Sequence, residues 1–593
     1  MTTLDGYQVY GFFRAGSRRV NAARSYLDRI NVFPVPDGDT GTNLSSTLMG
    51  TLAHAAPTAS AAATLDTLAD AALLSARGNS GVIFAQFVTG LSEAIGSAEL
   101  RPHEFVTGVH HAYRLAMAAV TEPREGTILS VLGGWAASLS KHGQGIGNFL
   151  DLIAATREDL RRSLSETTAL LPELKANGVV DAGAAGFVEF VEGMHEFLAN
   201  GAPPERESAG EAVPLDFDSH AGAAELLSPR PGSYRYCTEA IVEKERVDAG
   251  QVRAALAAFG DCLIVAGGLK RIKVHVHTDD PAGVMAALGR FGVVDNQKVD
   301  DMRLQYADAH DRRSRVAIVT DSSCDLPPEL MERHNVHAVP LLIRAGGSEY
   351  LDKLTIDAPR LRTFSEGKGA FPRTSQVPAR FFSRLYSFLG NNYDGVVAIH
   401  LSAAMSGTFA ASAKEAAGRG GAVAAFDSKH LSGSLGLIVL RAAEAAEAGA
   451  SKDDILASLG DWSAKARIFV SVTSLRYMVR GGRVSPLKGF VARLLNLKPI
   501  VSVDAAGKSV LFGKAFSERA NLRTLVRMAA EVHASAPLRW YAIGHAGAEE
   551  KARALAADLE RKLGFPPLYI TEISAVVALN SGPGAVSVVT MSE

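Results

Sequence analysis

Asn31-Val-Phe-Pro-Val-Pro-Asp37-Gly38-Asp39-Thr40-Gly41-Thr42-Asn43 decides how the first third of this chain is read. Pro34 and Pro36 exclude a helix through the segment, and Gly38 and Gly41 let the backbone turn tightly. Asp37 and Asp39 can then converge on a hard cation. Magnesium bound to ATP phosphates needs few protein carboxylates, because phosphate oxygens and water complete its octahedron. The alternative is an Asx-rich turn that caps a helix beginning near Thr42.

Outward from this segment, residues 1–200 read as helical throughout, with Ile83, Phe84, Phe87, Leu91 and Ile95 spaced for one buried face. Residues 201–225 are polar and contain Ala, Gly and Pro, which marks a linker. Between Tyr234 and about residue 311 strands and helices mix. Cys262–Val265 and Ile272–His277 read as strands, the second alternating with period two. From Val316 onward, short apolar runs ending in Ser/Asp/Gly clusters alternate with helical stretches, a rhythm that predicts parallel strands, crossover helices and a ligand crevice at the strand ends.

A chain of 593 residues exceeds what one hydrophobic core supports, so several domains are expected. The apolar fraction of 47% and charged fraction of 21% are those of a soluble globular protein, and no apolar run reaches membrane-spanning length. A formal net charge of -2 supplies no basic field for nucleic acid. Met1–Arg14 lacks the pattern of an export signal, and three cysteines (Cys237, Cys262, Cys324) make no disulfide framework, so a cytoplasmic location is expected.

The Asn31–Asn43 string resembles the ATP-binding domain of the dihydroxyacetone-kinase superfamily, and more closely its version in bacterial fatty acid kinases. The resemblance implies an all-helical, DhaL-like barrel over residues 1–200, with Asp37 and Asp39 as magnesium ligands and Asn43 beside them at the catalytic centre. Asn31 stands near where dihydroxyacetone kinases place a third metal carboxylate, and Thr40 and Thr42 fall within the nucleotide loop. A second patch, Ala76-Arg-Gly-Asn79-Ser80-Gly81, precedes an apolar helix, so its backbone N–H groups can receive phosphate; an ordinary N-cap is the alternative. In the family the matching loop cradles nucleotide phosphates, and the strings around Thr127 and Asp181 match further nucleotide-site loops.

His275 and His277 lie two apart on a strand and share a face, so they could bind one metal with a third ligand, for which Cys237 is the obvious donor; satisfied polar residues are the alternative. The Tyr234-Arg-Tyr-Cys-Thr-Glu239 and Lys273-Val-His-Val-His-Thr-Asp-Asp-Pro281 strings resemble the middle domain of fatty acid kinases, here residues 226–312, and imply zinc at these three residues. Residues 313–593 resemble the DegV family of fatty-acid-binding proteins, a two-lobed α/β fold, through Thr320–Leu326, Pro372–Gln376, Leu401–Thr408 and Val479–Ser485. Motif position implies Thr374 and Ser406 as hydroxyl donors to a lipid carboxylate and Arg483 as the cation, with Gly407 alongside and Ser375 and Arg480 as second choices. Where that family commonly reads Thr-His-Thr-Gly-Pro-Gly, this chain reads Leu579-Asn580-Ser581-Gly582-Pro583-Gly584, placing Asn580 where a histidine is expected; His545 belongs to a different motif.

Together these resemblances imply a fatty acid kinase that uses ATP and magnesium to phosphorylate a fatty-acid carboxylate, giving acyl phosphate and ADP, with the lipid carrier fused to the kinase. The alternatives are a dihydroxyacetone-type kinase and a lipid-binding protein with an inactive kinase half. A homo-oligomer and a downstream acyltransferase that consumes the acyl phosphate are the further partners the resemblance allows.

Overall fold

The computed structural model describes residues 1–34, 36, 38–201, 234–244, 248–268, 271–367, 370–482 and 498–593. The chain divides into two compact units, Met1–Tyr306 and Ala307–Glu593. Among the described residues no helix is long and apolar enough to cross a membrane.

Among the described residues, the first unit begins with nine helices: α1 Gly6–Arg29, α2 Thr40–His54, α3 Ala61–Ser75, α4 Gly78–Ala94, α5 Pro102–Ala119, α6 Ile128–His142, α7 Phe149–Leu170, α8 Pro172–Asn177 and α9 Ala182–Asn200. Local sequence sets their starts. Asp5, Ser60, Thr127, Asn148 and Asp181 each accept a backbone N–H of the helix they precede, satisfying donors that a first turn otherwise leaves open. The core is aromatic, with Phe84 and Phe190 meeting edge to face at 5.0 Å and Trp135 and Phe187 at 5.4 Å. One expectation is corrected here. Val82 to Leu91 is buried on every side rather than along one face, and Ile95 lies just past the helix end. A helix surrounded by other helices has no solvent face to keep polar.

The same unit continues with β1 Tyr236–Glu243, α10 Ala249–Leu256, β2 Gly260–Gly267, β3 Arg271–Thr278, α11 Pro281–Leu288 and β4 Val293–Asp301. The strands form an antiparallel sheet in the order β2-β3-β1-β4. Ile264 and Ala266 of β2 belong to the hydrophobic core of the helices. Gly267 donates its N–H to Gln86 Oε1 of α4 at 2.6 Å, and Thr121 donates its N–H to the Leu263 carbonyl at 3.1 Å. One face of the sheet is thereby sealed against the helical layer.

The second unit contains β5 Val316–Asp321, β6 His337–Val339, β7 Leu342–Ala345, β8 Ser348–Leu351, β9 Arg373–Ser375, β10 Gly395–His400, β11 Val423–Asp427, β12 Ala466–Ser471, β13 Lys498–Val503, β14 Ser509–Ala515, β15 Leu538–His545, β16 Ile570–Glu572 and β17 Val586–Ser592. The expected parallel strands are the four of the sheet β11-β10-β5-β6. The expectation fails for the six-stranded sheet β14-β13-β12-β17-β15-β16, where only β15 and β16 run parallel. Both sheets contain strands buried on two faces, which read as continuous apolar runs whatever their direction, so the sequence pattern does not separate them. A small antiparallel sheet, β8-β7-β9, carries Thr374 and Ser375.

Candidate functional site

The nucleotide-loop residues named from the sequence are brought together by four helix starts. Gly78 adopts a left-handed backbone with φ 59°, and a Cβ there would come within 2.7 Å of Asn43 Nδ2, so the α2 and α4 starts touch. Arg77 donates its N–H to Thr47 Oγ1 of α2 at 3.1 Å. Ser80 Oγ sits where a side chain at Gly183 would clash, so the α9 start joins them. Asp181 accepts the Ala184 N–H at 2.7 Å and also a backbone bond from Ile128, the first residue of α6. Four positively polarised helix ends at one place form a setting for phosphate groups.

Asp39 is the N-cap residue of α2, which starts at Thr40, yet its side chain makes no cap bond. Its carboxylate is therefore not committed to the helix. Asn31 Oδ1 accepts from the Thr40 hydroxyl. Asp37 lies outside the described residues. A carboxylate that the sequence reading missed, Asp28, accepts both the N–H and the hydroxyl of Thr42, each at 2.8 Å. Burial raises the Asp28 carboxyl against the pull of those bonds, and the charge of Asp39 adds to the rise. Its position three residues before Asn31, one helical turn away at the end of α1, was the available signal.

The strand registers build the second part of the site. Opposed residues in an antiparallel pair share a face, so one row reads Asp261, His277, Cys237, Asp300 and the next Ile264, His275, Glu239, Lys298. This face meets the start of α4. His275 Nε2 and His277 Nε2 are 3.3 Å apart, and Cys237 Sγ is 3.8 Å from His275 Nδ1. With one donor atom taken from each, the three residues lie within 4.8 Å of one another, and thiolate with two imidazoles is a zinc-type donor set. Burial pushes the Cys237 thiol well above its usual range, and the Asp39 carboxylate is among the charges that raise it further. A thiolate here needs a cation beside it.

Glu239 was named in the sequence only as part of a string, and it proves central. Its Oε1 accepts the Gly78 N–H at 2.7 Å, and its Oε2 lies 2.8 Å from Lys273 Nζ and 3.7 Å from Arg77 Nη1. Glu239 and Lys273 are both fully buried. Burial pushes Glu239 up, but Lys273, Lys298, His275 and Arg77 together hold it well below the usual carboxylate range. Of the phosphate-loop amides expected to face nucleotide, that of Gly78 is thus already taken by Glu239. Sharing a strand face with Cys237, two residues away, was the signal for it.

In the second unit, Thr374, Ser375, Ser406, Gly407 and Asn580 all line one cavity of about 280 Å³. Its wall is otherwise mainly aliphatic, including Leu341, Leu401, Ile468, Val470, Val501, Ile573 and Val586, and no charged side chain lines it among the described residues. Arg483 lies outside them; Arg480 stacks over Phe371 at 5.1 Å. Several hydroxyls of the wall are committed elsewhere: Ser323 to Asp321 and Ser432 to Asp325, both at 2.6 Å, and Ser502 to the Ile468 carbonyl at 2.7 Å. Ser406 Oγ and Thr408 Oγ1 are paired at 2.8 Å. Asn580 donates through Nδ2 to the Val576 carbonyl at 2.9 Å, which leaves one N–H of its amide. Ser581, next to it on the same wall, was not picked out from the sequence, yet its Oγ is buried with no partner.

The family model of the DAK2 domain matches residues 34–196, that of the FakA-like fatty acid kinase middle domain residues 233–309, and that of the DegV family residues 315–593. The chain is a DAK2 domain and a FakA-like middle domain joined to a DegV domain. Protein YloV of Bacillus subtilis is 32% identical over 325 residues, covering 53% of this chain and 58% of that protein. A Staphylococcus saprophyticus protein is 31% identical over 320 residues, covering 52% and 56%. The chain thus spans little more than half the length of these curated relatives. A DegV family protein from Thermus thermophilus, solved in a study of its fatty acid binding, is 30% identical, with all of its chain and 47% of this one aligned at a TM-score of 0.45. DegV from Bacillus subtilis, a fatty acid binding protein, is 29% identical over the same shares at 0.43. The DAK2 and FakA-like domains suggest a kinase family, and the three domains together fit a fatty acid kinase plus fatty-acid binding.

Within the DAK2 domain, burial raises the Asp181 carboxyl from 3.8 to about 6 against the two backbone bonds it accepts. The native state therefore binds this proton more tightly than the unfolded chain does. Stability falls as pH rises from about 4 to about 6 and stays reduced above that. Asp181→Asn keeps a capping oxygen and removes the buried charge. It is expected to stabilise the chain by about 2 kcal/mol at pH 7.5 and to converge on wild type near pH 4. Thermal unfolding at both pH values checks this, and a variant no more stable at pH 7.5 removes Asp181 as a source of strain.

Proposed function

We propose that the chain is a fatty acid kinase, transferring the γ-phosphoryl group of ATP to the carboxylate of a fatty acid held in the DegV domain, with acyl phosphate and ADP as products. The observation that carries this reading is the coexistence of a four-helix-start phosphate cradle and an aliphatic, hydroxyl-dotted cavity in one chain. The cavity suits an acyl chain because each methylene it removes from water contributes about 0.8 kcal/mol. The hydroxyls of Thr374 and Ser581 then meet the carboxylate, a group that is costly to bury without donors. The resemblance assigns the cation to Arg483.

Phosphoryl transfer asks a protein mainly for positioning and charge neutralisation. Asp39, with Asp37 and Asn31 in the same loop, would hold magnesium, which would supply positive charge against the transferring phosphate. Helix-start amides at Asn79, Ser80 and Gly81 receive phosphate oxygens, and Asn43 lies against this loop. Thr40 and Thr42 order the loop through Asn31 and Asp28. Thr127 caps α6, whose first amide bonds Asp181. Cys237, His275 and His277 would hold zinc, and Glu239 ties their strand to the phosphate loop.

Full-length protein incubated with labelled ATP and either oleate or dihydroxyacetone tests the reading. Label is expected on the oleate carboxylate, with the acyl phosphate trapped as a hydroxamate. Label on dihydroxyacetone would make the chain a triose kinase, and no transfer to either would leave a lipid binder. Thr374→Val is expected to weaken oleate binding about 10- to 100-fold through loss of a charge-assisted hydrogen bond. Equilibrium titration with a fluorescent fatty acid measures it, and unchanged affinity would move the carboxylate elsewhere in the cavity.

A further inference from the structure

β2 contains an irregularity that the Cys237, His275 and His277 set does not use. Asp261 pairs with His277, but the next register partner, Ile264, pairs with His275, so Cys262 and Leu263 together stand opposite the single residue Val276 and the strand carries one extra residue. Such a bulge re-aims side chains and is common beside functional sites. Cys262 also sits in the left-handed backbone region, with φ 51°, which non-glycine residues rarely adopt. Gly260 fixes the strand next to it, since any side chain there would collide with the His277 carbonyl.

This distortion collects a second donor set. A carboxylate oxygen of Asp261, Cys262 Sγ and a ring nitrogen of His277 all lie within 4.8 Å of one another. The ring nitrogens of His277 divide the labour. Nε2 faces His275 at 3.3 Å, and Nδ1 faces Asp261 Oδ1 at 3.4 Å. From the DAK2 domain, the Asn79 side chain reaches the Cys262 sulfur, while its Oδ1 is buried with no hydrogen-bond partner. Asp261 is 51% exposed and gives the cluster a way in from solvent.

We propose that Asp261, Cys262 and His277 Nδ1 form a second site for a thiophilic divalent cation of the zinc class, sharing His277 with the first donor set and bordering the phosphate loop. Thiolate, imidazole and carboxylate are all zinc-type ligands, and a three-residue set leaves a fourth position open. Binding displaces the Cys262 proton to solvent and, when both donor sets are filled, the remaining His277 ring proton as well, leaving a bridging imidazolate. Burial keeps that thiol protonated, with its pKa pushed up to about 12 and Asp261 adding to the rise, so the cation supplies the driving force for ionisation.

Full-length protein stripped with a chelator and titrated with Co²⁺ distinguishes one site from two, because thiolate bound to cobalt gives a charge-transfer absorption and bound cobalt can be counted. Wild type is expected to take about two equivalents. Cys237→Ser is expected to keep a thiolate band and about one equivalent, and the further change Cys262→Ser to abolish that band. Asp261→Asn, which preserves both thiols, is expected to lose about one equivalent while retaining the band from Cys237; circular dichroism verifies that each variant is folded. One equivalent in wild type, no thiolate band in Cys237→Ser, or unchanged stoichiometry in Asp261→Asn would each overturn the proposal.

Discussion

Asp39→Asn is expected to lower phosphoryl transfer from ATP by about 10³-fold, a loss of roughly 4 kcal/mol of transition-state stabilisation. The carboxylate is half-buried at the head of α2, makes no capping bond, and has a charge felt by both Asp28 and Cys237. Asparagine keeps its shape and hydrogen-bonding capacity but removes the charge that offsets the bound cation. Thermal unfolding of the variant should match wild type, since no helix cap is lost, and fatty-acid affinity of the DegV domain should be unchanged. Turnover within a few-fold of wild type would mean that Asp39 does not bind the cation.

Glu239→Ala is expected to destabilise the first unit by about 3–5 kcal/mol, the usual cost of removing one partner of a buried ion pair. Lys273, with no exposed surface, would lose the counter-charge that offsets its burial and the nearby Arg77 and Lys298, and the Gly78 N–H would lose its acceptor. Burial already lowers the Lys273 ammonium to about 8 even with Glu239 present to raise it. The double change Glu239→Ala with Lys273→Met should recover much of the loss, because the fully buried amine that lost its partner is then removed. Denaturant unfolding of the four proteins in the cycle measures the coupling. A single variant costing under about 1 kcal/mol, or a double variant no better than the single, would show that the pair does not hold the seam.

How far the sequence carried the reading depended on how local each feature is. The helices of residues 1–200, the Asp39 loop and the two strand histidines follow from near neighbours in the chain, and each occupies a described element of the expected kind. The cavity of the DegV domain was legible only as scattered motifs, yet Thr374, Ser406 and Asn580 reach it from a strand, a loop and a short helix. Ser581 was invisible because a buried serine without a partner looks like any other serine in a glycine-rich string. Glu239 escaped notice because its meaning lies in a bond to Gly78, and the bulge at Cys262 because one extra residue in a strand leaves no compositional trace. Strand direction was misread for the six-stranded sheet, since burial on both faces erases the alternation that marks antiparallel pairing.

The Gly78–Glu239 bond joins residues 161 positions apart. During synthesis, at about 5–20 residues per second, the phosphate loop leaves the ribosome on the order of 10–30 seconds before the strand that completes it. The helices are dominated by near-neighbour packing and can form in that interval. Their loop would still have an unmet amide at Gly78 and no tie to β1. Nascent chains are therefore expected to pass through a stage in which the helical layer is built but the loop at Gly78 is unfinished, and the middle sheet completes it. A ribosome-stalled fragment ending near residue 200 would be compact yet bind nucleotide weakly, and extension past β4 would restore binding in a single step.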